Sequence, residues 1–220
     1  MQPFRTLTSL AVPLDRVNVD TDQIIPKQFL KRIERTGYGE FLFYDWRRKA
    51  DGPPDPEFVL NRPQYSGAQV LIAGRNFGCG SSREHAAWAL SDYGFRCVIA
   101  PAFADIFFSN AGKNGILLVV LPEEQVATLL QRAQRPGYQL TVSLEDQTVR
   151  DGQGFQQGFS IDAFRRHCLL EGLDEIGLTL RHATAIDAFE KQHDVAFWAA
   201  PRPNPNMETQ KAALPEAVTP

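Results

Sequence analysis

The sequence has few cysteines, and their spacing does not resemble that of a metal site. Only three occur among 220 residues, Cys79, Cys97 and Cys168, and they form no C-x-x-C pair. Zinc and iron–sulfur sites are usually built from closely spaced cysteines, so this pattern argues against such a site made by this chain alone. We expect two of the three cysteines to be small apolar residues of the core.

Other absences narrow the class of protein further. No apolar run approaches the ~18 residues needed to span a bilayer, and the first residues lack the charged-then-apolar pattern of a secretory signal. We therefore expect a cytoplasmic protein with reduced thiols. The net charge of -3 argues against nucleic acids and anionic membranes as partners, because both usually select a basic excess. The glycine-rich segment 74–80 is followed by no Gly-Lys-Ser/Thr and has no G-x-G-x-x-G spacing, which argues against nucleotide binding.

What is present in the middle of the chain is a regular alternation of buried strands and helices. Continuous apolar runs cover 68–74, 97–101 and 116–122, the pattern of strands that are covered on both faces. The segments between them have helical apolar spacing and end at Gly94 and Gly115. This β-α-β-α-β order predicts an α/β fold whose central strands are mostly parallel, with flanking helices and right-handed crossovers.

The flanking regions give weaker patterns, and each yields an expectation. The predicted elements are a strand-like segment over 1–20 with alternation at 17–20, a short helical segment from 21 closed by Gly37 and Gly39, a helix over 123–135, a hairpin over 138–152, and two helices over 160–180 and 182–193. Asp162 or Ser160 is a candidate cap for the first of these last two helices. Five prolines follow Ala199, so we expect one domain over 1–198 and a disordered tail over 199–220.

The segment GCGSSREHA, residues 78–86, carries more polar groups than a turn requires. Ser81 and Glu84 have the S-x-x-E spacing of a capping box, in which Ser81 would be the helix cap. The alternative is an anion site, because Gly78 and Gly80 permit close approach to backbone amides and Arg83 lies where a cation opposes the helix dipole. Such surroundings would also stabilise a serine alkoxide acting as a base. The pattern alone leaves both hypotheses open.

Neighbouring residues have two interpretations each. Asp22 is either the cap of the following helix or a functional carboxylate. Lys27, Lys31 and Arg35 lie at i, i+4 and i+8, the spacing of a solvated helix face, and we expect most of them to face solvent with one member turned inward. We assign Cys79 to packing, since it has no evident basic partner.

The first helical turn after the serines raises two further expectations. His85 is expected to have a structural role, with the substrate or Glu84 within its reach. Glu84 itself is assigned to capping and to holding Arg83.

Several segments together resemble one family. GRNFGCGSSREHAAWALSDYGF, DTDQIIPKQFLK, FLFYDWR, FVLN, APAFADIFFSN and KNG are similar, in order, to the small subunits of bacterial 3-isopropylmalate dehydratase, in the aconitase superfamily. The likeness extends from about Met1 to about Trp198, with one departure at Leu118, where the family commonly has proline. It implies the superfamily's swivelling β/β/α domain, mobile relative to its partner. That partner is a separate large subunit that carries a [4Fe–4S] cluster.

The resemblance also implies roles for individual residues. Ser81 matches the general base, and Ser82 and Arg83 match positions that contact the substrate, with Arg83 also holding the alkoxide. Asp22 matches an active-site aspartate.

A basic residue shortly after the Asp22 motif would bind a substrate carboxylate. Lys31, Arg32 and Arg35 are the candidates, and Arg32 is chosen among them.

The implied reaction interconverts 2-isopropylmalate and 3-isopropylmalate through isopropylmaleate, in leucine biosynthesis. The alternatives are the small subunit of a related hydro-lyase acting on citraconate, homoaconitate or dimethylmalate, and a non-catalytic carboxylate-binding module.

Overall fold

The computed structural model describes residues 1–32, 34, 36–49 and 52–193. These residues belong to two compact units, one over 1–176 and one that begins at Gly177. The strands are β1 (Thr6–Leu14), β2 (Val70–Ala73), β3 (Cys97–Ala100), β4 (Leu117–Val120), β5 (Gln139–Ser143), β6 (Thr148–Arg150) and β7 (Gln156–Gly158). The helices are α1 (Thr21–Ile24), α2 (Tyr44–Arg47), α3 (Glu84–Tyr93), α4 (Asp105–Lys113), α5 (Glu123–Arg132), α6 (Ala163–Glu171), α7 (Glu175–Leu180) and α8 (Ala183–Gln192), with short 3-10 helices at Lys27–Lys31, Gly39–Phe41, Val59–Asn61 and Pro63–Tyr65.

One mixed sheet organises the first unit, with strand order β4-β3-β2-β1-β5-β6-β7. The end of β1 pairs in parallel with β2, and β2, β3 and β4 continue the parallel half. The beginning of β1 pairs antiparallel with β5, which leads into the antiparallel meander of β6 and β7. The long strand β1 therefore joins a parallel half to an antiparallel half.

The parallel strands are apolar throughout because each of their faces is covered by a separate core. Along β2, Leu71 and Ala73 lie in the core that includes α3 and α4, while Val70 and Ile72 lie in the core that includes α5 and the antiparallel strands. Successive side chains of a strand point to opposite faces, so a strand covered on both faces cannot alternate with polar residues. Cys97 is buried in the second core, and Cys168 is also buried, as expected for two of the three cysteines.

The predicted β-α-β-α-β order is confirmed as three parallel strands connected by α3 and α4. Gly94 ends α3 in the left-handed conformation, as its position after the helical pattern predicts. The hairpin after α5 is confirmed as β5 and β6, and Asp162 is the residue that caps α6 through the Arg165 amide.

Other expectations were wrong. Residues 17–20 form no strand, and the segment from Thr21 is not one helix, because Pro26 separates the single turn of α1 from the 3-10 helix at Lys27–Lys31. The stretch over 160–180 is divided at Gly172, which ends α6 in the left-handed conformation. The strand β7 was not expected from the polar residues Gln156 and Gln157.

Two expectations, for the C-terminal tail and for the extent of the domain, involve residues beyond the described part of the chain. The expected tail over 199–220 falls outside the described residues, and the single domain over 1–198 stays a prediction. None of the helices in the described part of the chain has both the length and the apolar character that crossing a bilayer requires.

Candidate active site

The candidate site lies at the carboxyl end of the parallel strands, where two loops meet. The first loop (residues 15–20) follows β1, and the serine loop (residues 74–83) follows β2. Neighbouring parallel strands end at the same edge of a sheet, so their following loops are brought side by side. Four hydrogen bonds join them: Gly74 N to Arg16 O at 3.0 Å, Asn18 N to Arg75 O at 2.9 Å, Gly78 N to Val19 O at 2.7 Å, and Asn76 Nδ2 to Asn18 Oδ1 at 2.9 Å.

Glycines at two positions allow the serine loop to follow this path. Gly78 and Gly80 have φ values of +78° and +90°, in the left-handed region that side chains disfavour. A Cβ at Gly78 would also collide with the ring of Phe107. The loop can therefore approach α4 and turn back toward α1 only with glycine at these positions.

The helix α1 is capped by Asp20, which leaves Asp22 available for other contacts. The Asp20 carboxylate accepts from the Gln23 amide at 2.7 Å, and the Gln23 side chain accepts from the Asp20 amide at 3.0 Å, so the two form a capping box. Asp22 lies in the first turn of the helix with 37% of its side chain exposed. The capping interpretation of Asp22 is therefore wrong.

Arg83 connects the two catalytic candidates. Its Nη1 donates to Asp22 Oδ1, and its Nη2 lies 3.4 Å from the Ser81 hydroxyl oxygen. Only 16% of the Arg83 side chain is exposed, although the Ser81 residue itself is open to solvent. Lys27 adds a second cation, with Nζ 3.2 Å from the other oxygen of Asp22. The structure thus brings Ser81, Arg83 and Asp22 together although Arg83 follows Asp22 by 61 residues.

The capping box expected from Ser81 and Glu84 is absent from the helix that it was meant to begin. Arg83 is the N-cap of α3, no side chain caps the helix, and Glu84 is its first residue. The Glu84 carboxylate accepts from Asn114 Nδ2 at 3.0 Å instead of holding Arg83, which corrects both roles assigned to Glu84. Because Ser81 lies two residues before the cap, its hydroxyl is not committed to the helix amides.

Two titratable side chains near Ser81, those of His85 and Cys79, have pKa values shifted toward their neutral forms. Burial lowers the pKa of His85, whose ring packs against those of Tyr38 and Trp88 at centroid distances of 5.5 and 4.6 Å, which supports a structural role. Burial, together with the nearby Asp20 carboxylate, raises the pKa of the Cys79 thiol, so this cysteine is not a thiolate nucleophile. The reactive candidates are therefore the serine and its charged neighbours.

The remaining predicted residues do not contact this centre in the structure as described. Arg32 lies over the rings of Phe41 and Tyr38, 5.1 and 5.8 Å from their centroids, and pairs with Glu34 at 3.5 Å. Lys31 is exposed at the end of its 3-10 helix.

Ser82 is exposed beside Ser81, and Arg35 lies outside the described residues. The choice among Lys31, Arg32 and Arg35 as a carboxylate ligand stays a prediction.

Sequence reasoning missed two residues that contact the site. Lys27 was assigned to a solvated helix face, and 72% of its side chain is exposed, but its Nζ also pairs with Asp22. The i, i+4 spacing does not define one face here, because Lys27–Lys31 is a 3-10 helix with three residues per turn. Thr21 was overlooked, yet its hydroxyl donates to the Ser81 carbonyl at 3.0 Å. Both Thr21 and Lys27 belong to the segment TDQIIPK that contains Asp22, and this position in the sequence could have identified them as candidates.

Comparison with known proteins identifies the family of the chain. Three family models match the chain in succession: an aconitase C-terminal domain over residues 1–124, the LeuD_N model over 127–163, and the C-terminal domain of the 3-isopropylmalate dehydratase small subunit over 175–201. The 3-isopropylmalate dehydratase small subunit of Acidobacterium capsulatum is 72% identical over 203 residues, which cover 92% of this chain and 96% of that protein. The corresponding protein of Brevibacillus brevis is 61% identical, covering 86% of this chain and 98% of the relative.

A solved structure supports the fold separately. The crystal structure of 3-isopropylmalate dehydratase (LeuD) from Methanocaldococcus jannaschii has a TM-score of 0.62 to this chain at 23% identity, covering 84% of this chain and 99% of the other. The fold class and the family resemblance expected from the sequence are both confirmed. The chain belongs to the family of 3-isopropylmalate dehydratase small subunits, built on an aconitase-type α/β domain.

Proposed function

We propose that this chain supplies the proton-transfer half of a 3-isopropylmalate dehydratase, with Ser81 as the general base. The single observation that carries the proposal is that one guanidinium, that of Arg83, contacts both the Ser81 hydroxyl and the Asp22 carboxylate. A serine hydroxyl is a poor base at neutral pH, and its alkoxide needs a preorganised positive partner. Arg83 is held in position by Asp22 and supplies that partner.

The reaction would be a reversible dehydration. In the forward direction, the Ser81 alkoxide takes the proton from the carbon next to a carboxylate of 2-isopropylmalate, hydroxide leaves the neighbouring carbon, and the double bond of isopropylmaleate forms between them. Return of the proton and the hydroxide in the opposite orientation gives 3-isopropylmalate. Ser82 and a basic residue near 31–35, chosen as Arg32, would bind the substrate carboxylates.

Departure of the hydroxyl needs a Lewis acid, which the resemblance assigns to a [4Fe–4S] cluster on a large subunit. The donors of the present chain do not fit such a group. Cys97 and Cys168 lie in the core, burial raises the pKa of the Cys97 thiol, and the described residues include no set of three or more His, Cys, Asp or Glu side chains arranged to hold a metal ion. We therefore assign substrate binding and proton transfer to the described residues of this chain and propose that the large subunit holds the cluster.

The surface around the site supports a protein partner at this edge. Val17 follows β1, Ile106 lies in the first turn of α4 after β3, and Val120 ends β4, and their exposed fractions are 53%, 53% and 45%. Apolar side chains exposed at the same edge of a sheet as a polar site are typical of an interface. We propose that this edge is covered by the large subunit, which completes the site, and that the pair acts in the cytoplasm.

The substrate is proposed from the relatives. Proteins that are 58–72% identical over most of the chain are named 3-isopropylmalate dehydratase small subunits, which favours isopropylmalate over citraconate, homoaconitate or dimethylmalate. A panel of these alkylmalates, assayed with the reconstituted pair of subunits, tests this choice. Faster turnover of another member of the panel would contradict the proposed substrate and identify that compound as the better one.

The test of the site is Ser81→Ala in the reconstituted pair. We expect kcat to fall by a factor of about 10²–10⁴, the usual contribution of a positioned base, with assembly of the subunits unchanged. Ser66→Ala, at an exposed serine outside the site, is the matched control and should retain full activity. Turnover of the Ser81 variant near that of the control would contradict the proposal and favour a non-catalytic carboxylate-binding module.

A further inference from the structure

The main chain of Ser81 is held by a buried hydroxyl from the other loop. Thr21 is 2% exposed, and its Oγ1 donates to the Ser81 carbonyl oxygen at 3.0 Å. Thr21 also donates its backbone amide to the Cys79 carbonyl at 2.8 Å. A single residue therefore contacts the serine loop at two carbonyls, one on each side of Gly80.

This contact is important because the serine has little other support. Within the described residues, the bond from Thr21 is the one hydrogen bond made by the Ser81 main chain. Ser81 follows a left-handed glycine and precedes an uncapped helix, so neither neighbour restrains its backbone through helix or strand hydrogen bonds. The Arg83 contact is with the hydroxyl group and does not restrain the main chain.

We propose that Thr21 is a positioning residue for Ser81, an inference that depends on the proposed role of Ser81 as a base. Its hydroxyl sets the position of the Ser81 carbonyl, and through it the direction in which the serine oxygen points relative to Arg83 and the substrate. Thr21 itself touches no reacting atom. It acts through Ser81 alone.

The position of Thr21 suits this role. It is the first residue of α1, directly after the Asp20 cap and directly before Asp22, so the turn that presents Asp22 to Arg83 also presents the Thr21 hydroxyl to Ser81. An ideal Cβ at Gly80 would lie 3.5 Å from Thr21 Oγ1, which shows how closely the two loops approach here. A displacement of about 1 Å in a reacting group can lower a rate by about 100-fold.

The test is Thr21→Val in the complete enzyme reconstituted with its large subunit. Valine keeps the branched shape and the burial, but a methyl group cannot approach the carbonyl oxygen as closely as a hydroxyl donor. We expect kcat to fall by about 10- to 100-fold with KM within about 3-fold, because substrate binding is left in place while the base is displaced. Thr21→Ser, which restores the donor, should recover most of the kcat.

Two further variants separate positioning from folding. Thr21→Ala removes the donor without adding a methyl group next to Ser81, and it replaces Thr21→Val if that variant fails to assemble. Thr128→Val removes a comparable hydroxyl, which donates to Glu124 O at 2.9 Å within α5, and should leave kcat unchanged.

The outcomes distinguish this inference from the proposed function. If Ser81→Ala abolishes turnover while Thr21→Val and Thr21→Ala stay within about 3-fold of the unmodified enzyme, the positioning role is wrong and the role of Ser81 stands. The positioning role is equally wrong if Thr21→Ser is as slow as Thr21→Val. If Ser81→Ala itself retains turnover, the proposed function fails and the role of Thr21 fails with it.

Discussion

Two aspartate–arginine pairs in this chain are arranged for different purposes. In the site, Arg83 pairs with Asp22, whose side chain is 37% exposed and contacts only the cations Arg83 and Lys27 among the described residues. In the antiparallel half, Arg132 pairs with Asp151 at 2.7 Å, and the Asp151 side chain is 1% exposed. The two pairs have the same chemistry, but the carboxylate of the first is partly exposed and that of the second is buried.

The difference lies in how completely each carboxylate is hydrogen-bonded. Asp151 accepts from four donors, which are Arg132 Nη1 at 2.7 Å, the Tyr138 hydroxyl at 2.8 Å, the Gln153 amide at 2.7 Å and the Phe155 amide at 2.9 Å. Burial alone would raise the pKa of Asp151, but these bonds outweigh it and lower the pKa to about 2. With all its bonds made inside the protein, this carboxylate stabilises the fold and has no free position for a ligand.

The Asp22 carboxylate at the site is less completely hydrogen-bonded than that of Asp151. The Asp22 carboxylate is partly exposed and pairs with two cations, and the Arg83 guanidinium divides its contacts between that carboxylate and the Ser81 hydroxyl. An arginine that contacts an exposed serine hydroxyl can bind a substrate carboxylate or stabilise a developing alkoxide there. Solvent access and hydrogen-bonding of the carboxylate therefore distinguish the functional pair from the structural one, and exchanging arginine for lysine in each pair tests this distinction.

The largest expected effect is that of Arg83→Lys on turnover. Lysine keeps the charge but cannot reach Asp22 and Ser81 at once from a single ammonium group. We expect kcat of the reconstituted enzyme to fall by about 10²–10³-fold, as for loss of one oxyanion donor, and the free energy of unfolding to change by less than about 1 kcal/mol. Steady-state kinetics and urea denaturation measure the two quantities.

The matched variant is Arg132→Lys, which should have the reverse profile. It disturbs the enclosed Asp151 cluster, so stability falls while kcat stays near that of the unmodified enzyme. If Arg83→Lys lowered stability more than turnover, or Arg132→Lys lowered turnover more than stability, the distinction between the two pairs would be wrong.

The sequence predicts the parallel half of the fold well because the residues that determine each strand and helix lie within that element. A run such as Val70–Ala73 is apolar at every position since both faces are buried, and Gly94 marks the end of α3 because it adopts the left-handed conformation. The strand β7 is not predictable in this way, because Gln156 and Gln157 enter the sheet through backbone pairing with β6 alone. Its side chains carry no apolar pattern.

The candidate site is likewise only partly predictable from local sequence patterns. The family resemblance predicts Ser81, Arg83 and Asp22 as one group, and the structure brings them together. The start of α3 was mispredicted because the S-x-x-E spacing satisfies the capping rule, whereas a partner 60 residues away, Thr21, binds the Ser81 carbonyl instead. Contacts between distant loops follow from the strand order, which a local pattern does not contain.

The second prediction is a loss of stability from Asp151→Asn. The folded pKa of about 2 lies below the ordinary value of 3.8, so Asp151 contributes stability above about pH 4 that is lost as the pH falls toward 2. This shift corresponds to about 2 kcal/mol at neutral pH. The NH2 group of asparagine would also face the N–H of Arg132 or the O–H of Tyr138, so one of these donors would lose its acceptor.

Urea denaturation of the variant should therefore show a free energy of unfolding about 2 kcal/mol lower at pH 7, with a difference that narrows toward pH 2. Asp187→Asn, at an exposed position on α8, is the control and should change stability by less than about 0.5 kcal/mol. Turnover of the reconstituted Asp151 variant should be normal at 25 °C. A difference in stability that did not depend on pH would assign the loss to packing and not to the charge of Asp151.

The smallest expected effect is the loss of stability from removing one buried tyrosine hydroxyl. Comparing two such tyrosines separates the contribution of a charged acceptor from that of burial. Tyr138 donates to the Asp151 carboxylate and Tyr65 donates to the Ala133 carbonyl at 2.9 Å, and both tyrosines are 5% exposed. Burial raises the pKa of Tyr138, so its hydroxyl remains a donor across the working pH range. Hydrogen bonds to charged acceptors contribute more than those to neutral ones, so Tyr138→Phe should cost about 1.5 kcal/mol or more and Tyr65→Phe about 1 kcal/mol. The first loss depends on an ionised Asp151, whose folded pKa is about 2, so it should decrease only as the pH approaches 2, while the second stays constant. Parallel behaviour of the two variants would mean that the charge of Asp151 adds nothing to the hydrogen bond from Tyr138.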